Sequence, residues 1–128
     1  MEMKLELVPL PVSDVDRAKA FYTEKVGFHA DHDRKLGENV RFVQLTPPGS
    51  ACSIAFGQGV TKMQPGSIDG LLMVVDDIQK TYRELKERGV PIREPAMQPW
   101  GSVHADFEDP DGNRWTLQQP ARRAPEGQ

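Results

Sequence analysis

Two apolar stretches open the two halves of the chain, Leu5-Glu6-Leu7-Val8-Pro9-Leu10-Pro11-Val12 and Gly70-Leu71-Leu72-Met73-Val74-Val75. Each stops at an acidic turn, which predicts a strand followed by a helix cap. Pro9 and Pro11 have no amide hydrogen to give to a ladder, so the first strand is expected at an edge or otherwise incompletely paired. Ser13 or Asp14 then caps a helix in which Val15, Ala18, Phe21, Tyr22 and Val26 recur at helical spacing, and Gly27 ends it. Ile78, Tyr82 and Leu85, closed by Gly89, repeat the scheme. Short strands are predicted after each helix, over 28–34, 40–46 and 51–57 and again over 91–94, 102–108 and 114–119. The last two strands of each set are joined by Pro/Gly turns, Thr46-Pro47-Pro48-Gly49 and Asp109-Pro110-Asp111-Gly112-Asn113. The order is β-α-β-β-β, twice.

A constant offset of 63 aligns the halves: Val12-Ser13-Asp14-Val15 lies over Val75-Asp76-Asp77-Ile78, Thr46 to Gly49 over Asp109 to Gly112, and Ser53 over Thr116. This spacing predicts one domain over 1–121, with module one over 1–60, module two over 68–121, the Gly57 to Gly70 stretch as linker and 122–128 as a polar tail. The chain of 128 residues carries 16 Lys and Arg against 19 Asp and Glu, a formal charge of -3. Its basic residues are scattered among acids, so no nucleic-acid partner is expected. The longest strongly apolar run falls far short of the ~20 residues of a membrane helix, and no membrane partner is expected either. A single cysteine, Cys52, builds no disulfide framework and suits a reducing cytoplasm.

Leu10 to Tyr22, Val74-Val75-Asp76-Asp77-Ile78 and Phe107-Glu108-Asp109-Pro110-Asp111-Gly112-Asn113 together resemble the vicinal oxygen chelate superfamily, which contains glyoxalase I, extradiol dioxygenases and bleomycin-resistance proteins. The resemblance covers about residues 5 to 119. It implies an α+β fold in which two tandem βαβββ modules form a cup-shaped, half-open mixed β-barrel. In the metal enzymes of that superfamily, His, Gln or Glu ligands stand on the first and last strands of each module. Those positions fall here on Leu7, Ser53, Gly70 and Thr116, none of which is a good metal ligand. The resemblance therefore implies a cup without a metal cofactor, and it implies a homodimer.

Period-2 alternation turns His104, Asp106 and Glu108 to one face of their strand and Thr116 and Gln118, with Arg114, to one face of the next. His104 and Asp106 could serve as an acid/base pair or orient a polar ligand. Trp100, between Pro99 and Gly101, is a loop aromatic suited to stacking on a flat ligand. Arg41 and Gln44 could recognise an anionic or amide-bearing ligand. His29 and His32, beside Asp31 and Asp33, are expected to stay solvated. The ligand-binding set is thus Arg41, Ser53, Trp100, His104, Asp106, Thr116 and Gln118, with His104 and Asp106 as catalytic candidates. The favoured function is metal-independent binding of a planar or amphipathic small molecule. The alternative is an enzyme of the same fold, a lyase, isomerase or dioxygenase-like catalyst, using an atypical metal site or His104/Asp106 acid–base chemistry. A third reading is a domain that only dimerises or regulates a partner.

Overall fold

The computed structural model describes residues 1–121, so the tail expected over 122–128 lies outside the described residues. The chain divides into two compact units, Met1–Ile68 with Asp109–Asn113, and Asp69–Glu108 with the residues from Arg114 onward.

In the first unit, β1 (Leu7–Pro9) leads to α1 (Val15–Ala20), which runs into a π-helical turn over Phe21–Val26, followed by β2 (His29–Lys35), β3 (Arg41–Thr46) and β4 (Ser53–Phe56). The sheet order is β1-β4-β3-β2, with β1 parallel to β4 and the other pairs antiparallel. The proline-bearing β1 takes the edge, where missing amide hydrogens cost least. Asp14 caps α1 by accepting from the Arg17 amide at 3.1 Å. The helix ends where Gly27 adopts φ +97° and both Gly27 and Phe28 donate their amides to the Tyr22 carbonyl. This widened turn leaves Tyr22 fully buried, stacked on Phe28 at 5.4 Å and edge-on to Phe21 at 5.1 Å. Val43, Leu45, Ile54 and Phe56 complete this core. Gly57, with φ +147°, follows β4 at a place where a Cβ would stand 1.8 Å from the Arg41 carbonyl oxygen.

The Asp109–Asn113 turn is fixed by its own side chains. Asp109 Oδ1 accepts from the amides of Asp111 and Asn113, and Oδ2 accepts from the Tyr22 hydroxyl at 2.7 Å and from Asn113 Nδ2. Asn113 Nδ2 also donates to the Pro11 carbonyl, and its Oδ1 accepts from the Ile68 amide. Asp109 and Asn113 are buried, and each finds the partners that burial demands.

In the second unit, β5 (Asp69–Val74), α2 (Ile78–Glu87), β6 (Ala96–Met97), β7 (Val103–Glu108) and β8 (Arg114–Gln119) repeat the order. The sheet runs β5-β8-β7-β6, again with its first strand parallel to its last. Asp77 caps α2 through the Lys80 amide. Phe107 and Trp115 stack with centroids 6.1 Å apart and planes at 1°, and Ala105, Leu117, Ile78, Leu85 and Val90 close around them. Burial of each of the larger apolar side chains contributes about 2–3 kcal/mol. The strand expected over 91–94 does not form. Ile92 makes a single bridge to Phe107, and the ladder begins only at Ala96, because Pro91 and Pro95 interrupt the donors a strand there would need.

The 63-residue offset holds for both helix caps and for the last strands, but not for the first strands. Leu7 lies opposite Ser53, whereas Thr116 lies opposite Leu72, and Gly70 sits at a bulge. The chain takes four residues from Leu10, the last amide bonded to β4, to the cap Asp14, but only two from Val75 to Asp77. That difference slides β5 by two residues. Among the described residues no helix is long and apolar enough to cross a membrane.

Candidate functional site

The outer face of the second sheet gathers most of the expected residues. Across β7 and β8, His104 stands opposite Gln118, Asp106 opposite Thr116 and Glu108 opposite Arg114, while Ala105, Phe107, Trp115 and Leu117 point to the core. Thr116 Oγ1 donates to Asp106 Oδ1 at 2.7 Å, and His104 Nε2 lies 2.8 Å from Gln118 Oε1. An amide oxygen only accepts, so Nε2 is the donor in this bond. Arg114 Nε donates to Asp69 at 2.7 Å, and this bond, reinforced by the nearby charges of Asp69 and Asp106, raises the guanidinium above its ordinary pKa. Its Nη1 stays 3.9 Å from Asp106 Oδ2, an ion pair without a hydrogen bond.

Apolar surface borders these polar pairs. Register and pleat put Leu72 beside Thr116 and Val74 beside Gln118 on the same face, 49% and 62% exposed. Trp100 is 63% exposed and meets the His104 ring edge-on at 5.7 Å. Between them in sequence, Ser102 is buried with its hydroxyl unpartnered. Leu72 and Val74 escape sequence reading because an unbroken apolar run such as Leu71 to Val75 has no periodicity to separate its faces. The signal that could have found them is their pairing, on an edge strand, with the polar face of β8.

The first unit holds Ser53 and Arg41, on opposite faces of their sheet. Ser53, buried, accepts from Gln44 Nε2 at 3.3 Å and shares a hydrogen bond with Thr46 Oγ1, which in turn bonds Asp31. Arg41 and Gln44 are an odd number of residues apart, so they do not share a face. Arg41 turns toward α1, where Nη1 donates to Asp16 at 2.6 Å and Nε and Nη2 donate to Asp33 at 3.0 and 2.9 Å. Lys19 adds a third cationic bond to Asp33 at 2.7 Å. These bonds hold the Asp33 carboxyl well below the usual range and the Arg41 guanidinium above its own. A cleft of about 600 Å³ opens beside Arg41, lined also by Asp14, Asp16, Lys35 and Glu38. The guanidinium there is bonded to two carboxylates, those of Asp16 and Asp33. His29, with a largely exposed side chain, lies 3.8 Å from Asp31.

The donor set does not fit a transition metal. Ser53 and Thr116 offer hydroxyls already engaged within the protein, and their neighbours Leu7 and Leu72 offer nothing, nor does Gly70. Among the described residues, no three His, Cys, Asp or Glu side chains converge as a metal site.

Residues 4–117 match the family described as the Glyoxalase/Bleomycin resistance protein/Dioxygenase superfamily. Among solved structures, TnmS3, described as an antibiotic binding protein from Streptomyces sp. CB03234, is similar with a TM-score of 0.83 and 40% identity, over 94% of this chain and 98% of that one. YetH of Bacillus subtilis (strain 168) is 29% identical over 121 residues, 93% of this chain and 100% of YetH. A probable lactoylglutathione lyase, chloroplastic, of Arabidopsis thaliana is 33% identical over 114 residues, 83% of this chain but 33% of that protein.

Proposed function

Because the chain belongs to the Glyoxalase/Bleomycin resistance protein/Dioxygenase superfamily, a fold that hosts many chemistries, we propose that it binds a planar or amphipathic small molecule without a metal. The observation that carries this reading is the mixed outer face of the second sheet. Exposed Trp100, Leu72 and Val74 supply flat and apolar contact, and the His104–Gln118 and Asp106–Thr116 pairs supply fixed polar groups beside them. Ligand sites are built this way, mostly apolar with a few oriented polar groups. The antibiotic-binding description of TnmS3 supports the same class of ligand. In this reading the positions that the family resemblance gives to metal ligands hold none, and affinity rests on these side chains. The protein acts as a homodimer in the cytoplasm in this reading, which carries over what the family resemblance implies.

A second reading is an enzyme, favoured by the placement of His104: its ring is held by Gln118 and stands two residues from the Asp106 carboxylate on the same strand face, the arrangement of an acid–base pair. The lactoylglutathione lyase relative points in the same direction. Equilibrium dialysis against a panel of fused-ring antibiotics separates the two. Binding predicts one molecule retained per site and recovered intact by mass spectrometry, with metal content below about a tenth of an equivalent. Turnover that His104→Ala abolishes while the melting temperature holds would overturn it in favour of the enzyme.

A further inference from the structure

Arg114 and Asp106 face each other on the outer side of the second sheet without closing on each other. Arg114 gives its Nε hydrogen to Asp69 Oδ1 at 2.7 Å. Among the described residues neither of its Nη groups makes a hydrogen bond, and Nη1 stops 3.9 Å from Asp106 Oδ2. Asp106 is held from the other side, where Oδ1 accepts the Thr116 hydroxyl at 2.7 Å, and its Oδ2 likewise makes no hydrogen bond. Both side chains are partly exposed. Each ion is thus tied to a different neighbour, and the two present a free donor and a free acceptor side by side, over a gap too wide for one hydrogen bond. The charge around the gap does not balance: Asp69, Asp106 and Glu108 set three carboxylates against two guanidiniums, Arg114 and the Arg93 that bonds Glu108.

On the premise that this face binds the ligand, we propose that the gap between Arg114 and Asp106 takes a primary carboxamide or a ring lactam borne on a flat aromatic body. Such a group is neutral, and its C=O and N–H point the same way from one edge. The carbonyl accepts from an Arg114 Nη group, and the N–H donates to Asp106 Oδ2. Standard bond lengths put the oxygen and nitrogen of an amide about 2.3 Å apart. Two hydrogen bonds of about 2.9 Å then span the 3.9 Å gap with only a slight splay. A carboxylate offers Arg114 an acceptor but sets its second oxygen against Asp106, where negative charge is already in excess, and leaves Oδ2 unpaired. A secondary amide is trans and carries its N–H on the far side from its C=O, so it meets one of the two partners only. Arg114 and Gln118 are four residues apart on β8, roughly 13 Å. That leaves room for an aromatic body to lie along Thr116 and Leu72 toward Val74 and Trp100. Gln118, His104 and the Trp100 indole N–H border that end of the face, and they contribute alike to ligands that share a ring system and differ only at the head.

Three naphthalenes with the same ring system test this: 2-naphthamide, N-methyl-2-naphthamide and 2-naphthoate. Calorimetry gives each Kd, and the Trp100 indole N–H resonance, assigned with Trp100→Phe, reports whether binding occurs on this face. 2-Naphthamide is expected to move that resonance and to bind at least about ten-fold more tightly than either of the others. Asp106→Asn keeps an oxygen for Thr116 and turns an N–H to the gap in place of Oδ2, so 2-naphthoate, accepting at both oxygens, should then overtake 2-naphthamide. Equal binding of 2-naphthamide and its N-methyl counterpart, a lead for 2-naphthoate in the parent protein, or an unchanged order in Asp106→Asn would overturn the carboxamide site while leaving the binding face in place. A Trp100 resonance unmoved by all three would instead remove the face on which it rests.

Discussion

A buried hydroxyl without a partner loses its hydration for nothing, and Ser102 Oγ is in that position between Trp100 and His104. Ser102→Ala is therefore expected to raise stability by about 1 kcal/mol, read as a higher urea midpoint. A loss of stability would mean that the hydroxyl has found a bond that the native fold needs. At the same scale, the pleat separates the expected site residues. His104, Asp106, Thr116 and Gln118 meet because each lies an even number of residues from its strand neighbour and the β7–β8 register puts them opposite one another. By the same rule Arg41 lies on the other face of β3 from Gln44, bonded to Asp16 and Asp33.

Among the elements, the Asp109–Asn113 turn is held by more side-chain bonds than any composition argument requires. Its Pro and Gly were legible as a tight turn, but the buried carboxylate of Asp109 accepting from Tyr22 joins residues 87 apart in sequence. Tyr22→Phe keeps the ring and removes that donor, so it should cost about 1–3 kcal/mol without changing the fold, measured by chemical denaturation. An unchanged midpoint would show that Asn113 and the turn amides satisfy Asp109 by themselves. The strand expected over 91–94 failed for a reason present in the sequence, the two prolines bracketing it, whereas the two-residue slide of β5 against β8 was not readable from a repeat defined by caps and turns.

For the whole molecule, acidity acts through the ion cluster of Asp33, Arg41, Lys19 and Asp16. The hydrogen bonds from Arg41 and Lys19 depress the Asp33 pKa in the folded state relative to the unfolded chain. A depressed carboxyl contributes stability that is fully present above its unfolded value of about 4 and is lost as pH falls through the folded one. Asp33→Asn should therefore be less stable than the parent at pH 7, by about 1 kcal/mol for a largely surface cluster. The gap should narrow below about pH 4, and a gap that stays constant down to pH 2.5 would assign the loss to packing rather than charge.

The sequence by itself determined what depends on neighbours along the chain. Helix caps at Asp14 and Asp77, glycine stops, proline-broken edges and the doubled β-α-β-β-β order are local, because capping, turn geometry and periodicity act over a few residues. The family followed from motifs of the same short range. Only the tertiary structure decided which of those residues meet. Leu72 rather than Gly70 lies beside Thr116, Leu72 and Val74 turn outward, and the hydrogens of Thr116 and His104 are already given away. Strand register and hydrogen-bond direction are set by pairing between distant segments. A one-residue change in that pairing exchanges the two faces of a strand.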